Sequence, residues 1–201
     1  MYLNKPIKEY LDDLAAKKPA PGGGSAAALG AATALSLISM TANFTIGNPK
    51  YKDVEAEVKE ILKLSEKLRK RAGELVDEDV VAYAKVSKAM KESAKDETKL
   101  DQVFKDAMNP PFEVCKITIE AMKACERLAE IGNKNLITDT AIAAIMLEGA
   151  FFSAKFNVYI NLKYIKDMDF IGSVHKVLQP LEDQMPKMRE DILEICEEVI
   201  R

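Results

Sequence analysis

Apolar residues recur at helical spacing along almost the whole chain, and two stretches break the pattern by being apolar on every side. Ile7, Leu11 and Leu14 predict a first amphipathic helix, ended by the breaker Pro19-Ala-Pro21-Gly-Gly-Gly24. Ser25 follows the breaker at an N-cap position and opens an uncharged helix predicted to run to about Phe44, which Gly47-Asn48-Pro49 closes. A long charge-laced helix is predicted over Tyr51–Lys91, with Val54, Val58, Ile61, Leu68, Leu75 and Val76 among its apolar positions and a bend or break at Gly73. Thr98–Met108 reads as a weaker helix. Asn109-Pro110-Pro111 then starts another, over Phe112–Ile131. After the Gly132–Asn135 loop, Leu136–Ile165 is the second apolar helix, interrupted only by Asp139, Glu148, Lys155 and Lys163. The chain closes with a turn at 167–169 and an amphipathic helix punctuated by Pro180 and Pro186.

No stretch alternates with the period of a strand, no unit repeats, and no linker divides the chain. The expectation is one all-α domain, residues 1–201, a helical bundle around two central apolar helices. The segment Pro19–Pro49 has no charged residue, yet Ser25, Thr33, Ser36, Ser39, Thr41, Asn43 and Thr45 are scattered through it and alanine outnumbers leucine and isoleucine. That composition suits close packing against other helices better than a lipid span. A helix apolar all round must be covered all round, and two of them exceed what one core of this size covers. A homo-oligomer, most simply a homodimer, is therefore expected.

Composition removes several function classes. The 201 residues carry 29 Lys+Arg against 32 Asp+Glu, a formal net charge of −3, so there is no basic field for nucleic acid and no polybasic membrane anchor. Charged residues at 5, 8, 9, 12 and 13 occupy the place of a signal peptide's apolar region, and Cys115, Cys125 and Cys196 are odd in number without CxxC spacing; both point to the cytoplasm. No phosphate-binding loop, HExxH or GxSxG is present, and the single histidine, His175, lies among Val174, Val177 and Leu178 as in an ordinary amphipathic helix. One histidine and no cysteine pair leave carboxylates alone for a metal, so no metal and no redox cofactor are expected.

Chemistry concentrates at a few positions. The stripe Ala72, Leu75, Val76, Ala82, Tyr83, Val86, Met90 requires an apolar member at 79, and the residue there is Asp79; Asp77 and Glu78 fall off the stripe into solvent. A carboxylate in an apolar seam costs several kcal/mol unless paired, hydrogen-bonded or protonated. Asp79 is thus either a general acid–base or one half of a buried helix–helix pairing. On the second apolar helix Asp139, Met146, Ala150, Ser153, Asn157 and Asn161 share one line, which lines a cleft or bonds a neighbouring helix. The turn Pro21-Gly22-Gly23-Gly24-Ser25 offers backbone N–H groups to a ligand carboxylate or carbonyl, or is simply a helix entry.

Four co-linear motifs resemble the cyclodeaminase/cyclohydrolase family, which includes the C-terminal domain of formiminotransferase-cyclodeaminase and stand-alone methenyltetrahydrofolate cyclohydrolases. They are Pro19-Ala-Pro-Gly-Gly-Gly-Ser25, Asp79-Val-Val-Ala-Tyr83, Gly132-Asn-Lys-Asn-Leu-Ile-Thr-Asp139 and Phe156-Asn-Val-Tyr-Ile-Asn-Leu162. The resemblance, spanning about Lys18 to Phe170, implies an all-helical dimer with folate sites in grooves involving the subunit interface. It implies Asp79 as proton acceptor and Gly22, Gly23, Gly24, Ser25, Asn133, Asp139, Asn157 and Asn161 as substrate-binding residues. Thr138 stands where the family commonly has serine, and Met90-Lys-Glu-Ser93 replaces a common Arg-Leu-Pro-Lys run. No segment of these residues resembles the formiminotransferase domain, so no hand-over between domains is expected within them. The implied activity is on tetrahydrofolate, as cyclodeaminase or as cyclohydrolase. The rival is a non-catalytic helical scaffold. It requires a cation against Asp79 and no cavity beside it, whereas an enzyme requires an open groove with Asp79 in its wall.

Overall fold

The computed structural model describes residues 1–93 and 96–201. Six helices account for most of them: α1 (Ile7–Ala15), α2 (Gly23–Thr45), α3 (Glu55–Glu92), α4 (Glu97–Ile131), α5 (Ile137–Leu162) and α6 (Met168–Ile200). Short 3-10 turns at Tyr2–Asn4, Pro49–Val54 and Lys134–Leu136 join or precede them, and no strand occurs among the described residues. The two uncharged helices, α2 and α5, pack on each other; α3 and α4 pack on both or on one of them, and α6 lies against α4 and α5.

Small residues make the centre. Ala27, Ala28, Ala31, Ala34 and Ala42 of α2 are buried with Leu35 and Ile38, so that α2 approaches its neighbours closely. Two buried polar members of this helix are absorbed locally: Ser39 bonds Ser65 of α3 at 2.9 Å, and Thr45 donates to the carbonyl of Thr41, whereas the buried Thr41 hydroxyl has no partner among the described residues. Both α2 and the stretch Lys134–Leu162 are long and apolar enough to cross a membrane; here both are packed into the bundle.

Several boundaries differ from those expected. The segments predicted as two helices around Pro110-Pro111 form the single helix α4, with both prolines inside it and buried. A proline removes one ladder bond and costs about 3 kcal/mol in an isolated helix. Packing of α4 against α2, α3, α5 and α6 over 35 residues outweighs that local cost. Pro180 and Pro186 likewise lie inside α6. Gly73 does not interrupt α3, which runs for 38 residues; Leu3 packs where a Gly73 Cβ would point, at 3.4 Å. Ser25 is the third residue of α2 rather than its cap, a place taken by the extended Gly22. In α1 the inward residue is Tyr10, while Ile7 and Leu11 stay 68% and 53% exposed.

Candidate active site

The apolar stripe of α3 changes surroundings at Asp79. Before it, Ala72, Leu75 and Val76 are buried in the core; after it, Tyr83 and Met90 are about half exposed because they line a pocket. Asp79 stands in the wall where the stripe turns from core to pocket. The pocket has a volume of about 340 Å³ and is closed by the Pro19–Gly24 turn, by Phe104 and Ala107 of α4, and by Asn157, Ile160 and Asn161 of α5 with Tyr164 beyond it. Phe104 and Tyr164 stack at 4.7 Å with their planes 15° apart, giving the pocket a flat apolar side.

Asp79 is held from one direction. The backbone N–H of Ser25, on the first turn of α2, donates to its Oδ2 at 2.9 Å. No lysine or arginine pairs with Asp79 among the described residues. Burial pushes its carboxyl above the ordinary 3.8, and the Ser25 N–H opposes that rise. The contact with α2 is close: a Cβ on Gly24 would lie 2.1 Å from Asp79 Oδ1, so only glycine leaves room for the carboxylate. The open pocket and the absent cation meet the requirements set for an enzyme rather than those set for a scaffold.

Asn157 and Asn161 face the same space from α5. Each uses its amide nitrogen on its own helix, Asn157 donating to the Ser153 carbonyl at 2.9 Å and Asn161 to the Asn157 carbonyl at 2.8 Å. An amide oxygen cannot donate, so this assignment leaves each Oδ1 as an acceptor, and neither is engaged by a donor among the described residues. Met146, Ala150, Ser153 and Asn157 continue along a shallow groove of about 410 Å³ shared with Gly23, Ala26 and Gly30 of α2. The polar line on α5 thus borders a cleft along much of its length.

The structure brings Gly22, Gly23, Gly24, Ser25, Asp79, Asn157 and Asn161 together, and leaves Asn133 and Asp139 apart. Asn133 is buried beyond the far end of α2: its side chain donates to the Phe44 carbonyl at 3.0 Å and accepts from the Asn135 N–H at 3.1 Å. Asp139 lies in the first turn of α5, about 27 Å along the helix from Asn157 at ~1.5 Å per residue. Tyr83, Val86 and Met90 belong to the stripe that singled out Asp79, so their pattern carried a signal that was read as core. Phe104 and Tyr164 carried none, since stacking between a residue of α4 and one in the turn after α5 leaves no mark at a helical spacing.

Other candidate chemistry is spoken for. A larger cavity, about 670 Å³, lies between α3 and α4 beside Leu3, with Arg71, Glu74, Glu78 and Glu113 in its lining. These charges satisfy one another: Arg71 donates to Glu113 at 2.7 Å, to Glu78 at 2.5 Å and to Glu74 at 3.2 Å. The three cysteines are buried and free, and burial pushes the Cys115 thiol up to about 12, far from a neutral-pH nucleophile. No cluster of three or more metal-ligating side chains occurs among the described residues.

A half-buried acid with no paired cation among the described residues, beside free amide acceptors in an apolar pocket of a helical bundle, is an arrangement able to move a proton on a small molecule. The chain belongs to the Formiminotransferase-cyclodeaminase family, whose profile matches residues 6–180. It is 35% identical to the methenyltetrahydrofolate cyclohydrolase of Methylorubrum extorquens over 95% of both chains. It is 29% identical to the formimidoyltransferase-cyclodeaminase of Sus scrofa over 89% of this chain, but spans only 34% of that longer protein. The crystal structure of formiminotetrahydrofolate cyclodeaminase from Thermotoga maritima superimposes with a TM-score of 0.94 at 34% identity, covering all of both chains.

Proposed function

We propose that this protein is a tetrahydrofolate one-carbon enzyme acting at the carbon that bridges N5 and N10, with Asp79 as the proton acceptor and donor. The observation that carries the reading is Asp79 itself, in the wall of an open pocket and held by the backbone N–H of Ser25. The two activities named for its relatives pose the same demand. In cyclodeamination N10 attacks the carbon of the protonated 5-formimino group; Asp79 takes the N10 proton and returns it to the resulting amino group, and ammonia leaves as the cationic 5,10-methenyltetrahydrofolate forms. In cyclohydrolysis water adds to the cationic methenyl carbon; Asp79 takes one proton from the water and gives it to N5 as the carbon–N5 bond breaks, while the remaining hydroxyl proton passes to solvent, leaving 10-formyltetrahydrofolate. Each route passes through a tetrahedral carbon and needs one proton shuttle; neither needs a metal or a redox cofactor. A carboxyl raised by burial exchanges a proton more readily near neutrality than an ordinary one.

The test is to incubate the protein separately with 5-formimino- and 5,10-methenyltetrahydrofolate, following ammonia and methenyl absorbance. Turnover of at least one is expected, and turnover of neither overturns the reading. Asp79→Asn, which keeps the volume but cannot exchange the proton, is expected to lower kcat by about 10²-fold or more. The same variant has a stability signature. A carboxyl raised in the folded state contributes stability fully present below its unfolded value of 3.8 and lost as pH rises through the folded one. Asp79→Asn should therefore melt higher than the parent at pH 7, the difference closing towards pH 3.

The reading includes a second copy of the chain and a reducing, cytoplasmic setting for the free thiols. Its support is the uncharged face shared by α2 and α5, on which Ile142, Ile145, Phe156 and Ile160 are half exposed or more around Gly149. Two α5 helices meeting antiparallel at Gly149, near the helix midpoint, direct Asp139 of the partner subunit towards the Asn157 end of the pocket.

A further inference from the structure

The Ser25 N–H that donates to Asp79 is itself held by something outside the pocket. Ser25 is completely buried, and its Oγ lies 3.2 Å from the hydroxyl of Tyr10, which is also buried. Tyr10 belongs to α1, on the far side of the Pro19–Gly24 turn, and its ring is packed edge-on by Tyr2 at 5.2 Å. The hydroxyl pair therefore ties α1 to the first turn of α2 across the Pro19–Gly22 breaker, where the glycines that open α2 have no side chains of their own to pack it in place. The geometry downstream is tight. Gly24 lies in van der Waals contact with Asp79, and the Ser25 N–H meets the same carboxylate. A small displacement of the first turn of α2 thus moves both.

We propose that Tyr10 is a positioning residue: through its hydroxyl bond to Ser25 it fixes the first turn of α2 against Asp79 and so sets the reach and orientation of the carboxylate. Tyr10 does not line the pocket. This inference rests on the Asp79 reading above. Misplacement by a fraction of an ångström remote from the chemistry is enough to lower turnover severely, since a shift of 1 Å costs about 10²-fold.

Tyr10→Phe keeps the ring and its contact with Tyr2 and removes only the hydroxyl; Ser25→Ala removes the other half of the bond. Each is expected to lower kcat about tenfold with KM within about twofold. The double variant is expected to be no slower than the worse single one, because both break the same bond. A second readout needs no substrate: titration of the Asp79 carboxyl carbon by NMR. The titratable groups set against Asp79 are Tyr10 from α1 and Tyr83 on its own helix, with Tyr164 across the pocket; the linings from α4 and α5 are uncharged. Loosening the Ser25 N–H should move the Asp79 midpoint upward in both variants, whatever the substrate proves to be.

Wild-type kcat and an unmoved Asp79 midpoint in a folded Tyr10→Phe protein overturn the positioning role, as does a double variant whose effects multiply. Should Tyr10→Phe fail to fold, Ser25→Ala carries both measurements. Full activity of Asp79→Asn refutes the catalytic reading instead, and a shifted midpoint in Tyr10→Phe would still report the structural tie.

Discussion

Gly24 and Gly22 stand two residues apart in the same turn and are expected to respond oppositely to the same methyl group. At Gly24 a Cβ meets Asp79 Oδ1 at 2.1 Å; at Gly22 it meets nothing within 4 Å. Gly24→Ala must displace the carboxylate from the Ser25 N–H, so activity should fall about 10²-fold or more, while Gly22→Ala stays within a few-fold of the parent. Paired kcat measurements check this. Asn157→Leu separates binding from folding in the same way. The Asn157 amide bonds only its own helix, so leucine orphans no partner in the core. It is expected to weaken folate binding by about 1–3 kcal/mol and to leave the urea midpoint unchanged. At this scale the sequence was legible where one residue broke a pattern, as Asp79 broke its stripe and Asn157 and Asn161 broke the apolar surface of α5. It was silent on Phe104, Tyr164 and Tyr10, whose roles depend on partners from other helices. Asn133 shows the converse: a residue picked out by motif whose side chain is fully engaged in joining α2 to the start of α5.

Among the elements, the junction of α5 and α6 depends on a charge that the pattern placed off the pocket line. Lys155 is buried and pairs with Glu182 of α6, which also accepts from the Tyr159 hydroxyl at 3.1 Å. Lys155→Met should lower stability by about 1–3 kcal/mol, most of it recovered by adding Glu182→Gln, with kcat unchanged; urea unfolding and steady-state rates decide. Bonding to Lys155 holds the Glu182 carboxyl below its ordinary 4.5, so its contribution is complete above that value and disappears as pH falls through the lowered one. Helix type and order followed from periodicity, since each long helix keeps one face for the core. Helix ends did not, because Pro110 and Pro111 signal a break locally and the surrounding helices override it.

The whole molecule keeps more uncharged surface than its own core uses. The face of α2 and α5 around Gly149 should be covered by a second chain, and sedimentation at micromolar concentration is expected to give twice 22.3 kDa. Gly149→Glu, at an exposed position with open space beyond it, should yield a folded monomer. A well-folded monomeric parent would remove the dimer from the proposed function. The excess of apolar helix was visible in the sequence as two uncharged runs. Which face they leave open depended on how α3, α4 and α6 surround them, and periodicity cannot reveal that for helices apolar on every side.

Asn157 and Asn161 each turn one amide hydrogen back onto their own helix, and this fixes which way each amide faces. What remains for the pocket is a lone-pair oxygen and one N–H from each side chain, a short two-letter alphabet written along one wall. A flat heterocycle that alternates amide and amine groups along its edge can be read letter by letter there, whereas a ring of the same outline with that order reversed sets donor against donor and oxygen against oxygen. The wall therefore distinguishes molecules of nearly identical outline by where their protons sit, and it does so without carrying a charge of its own.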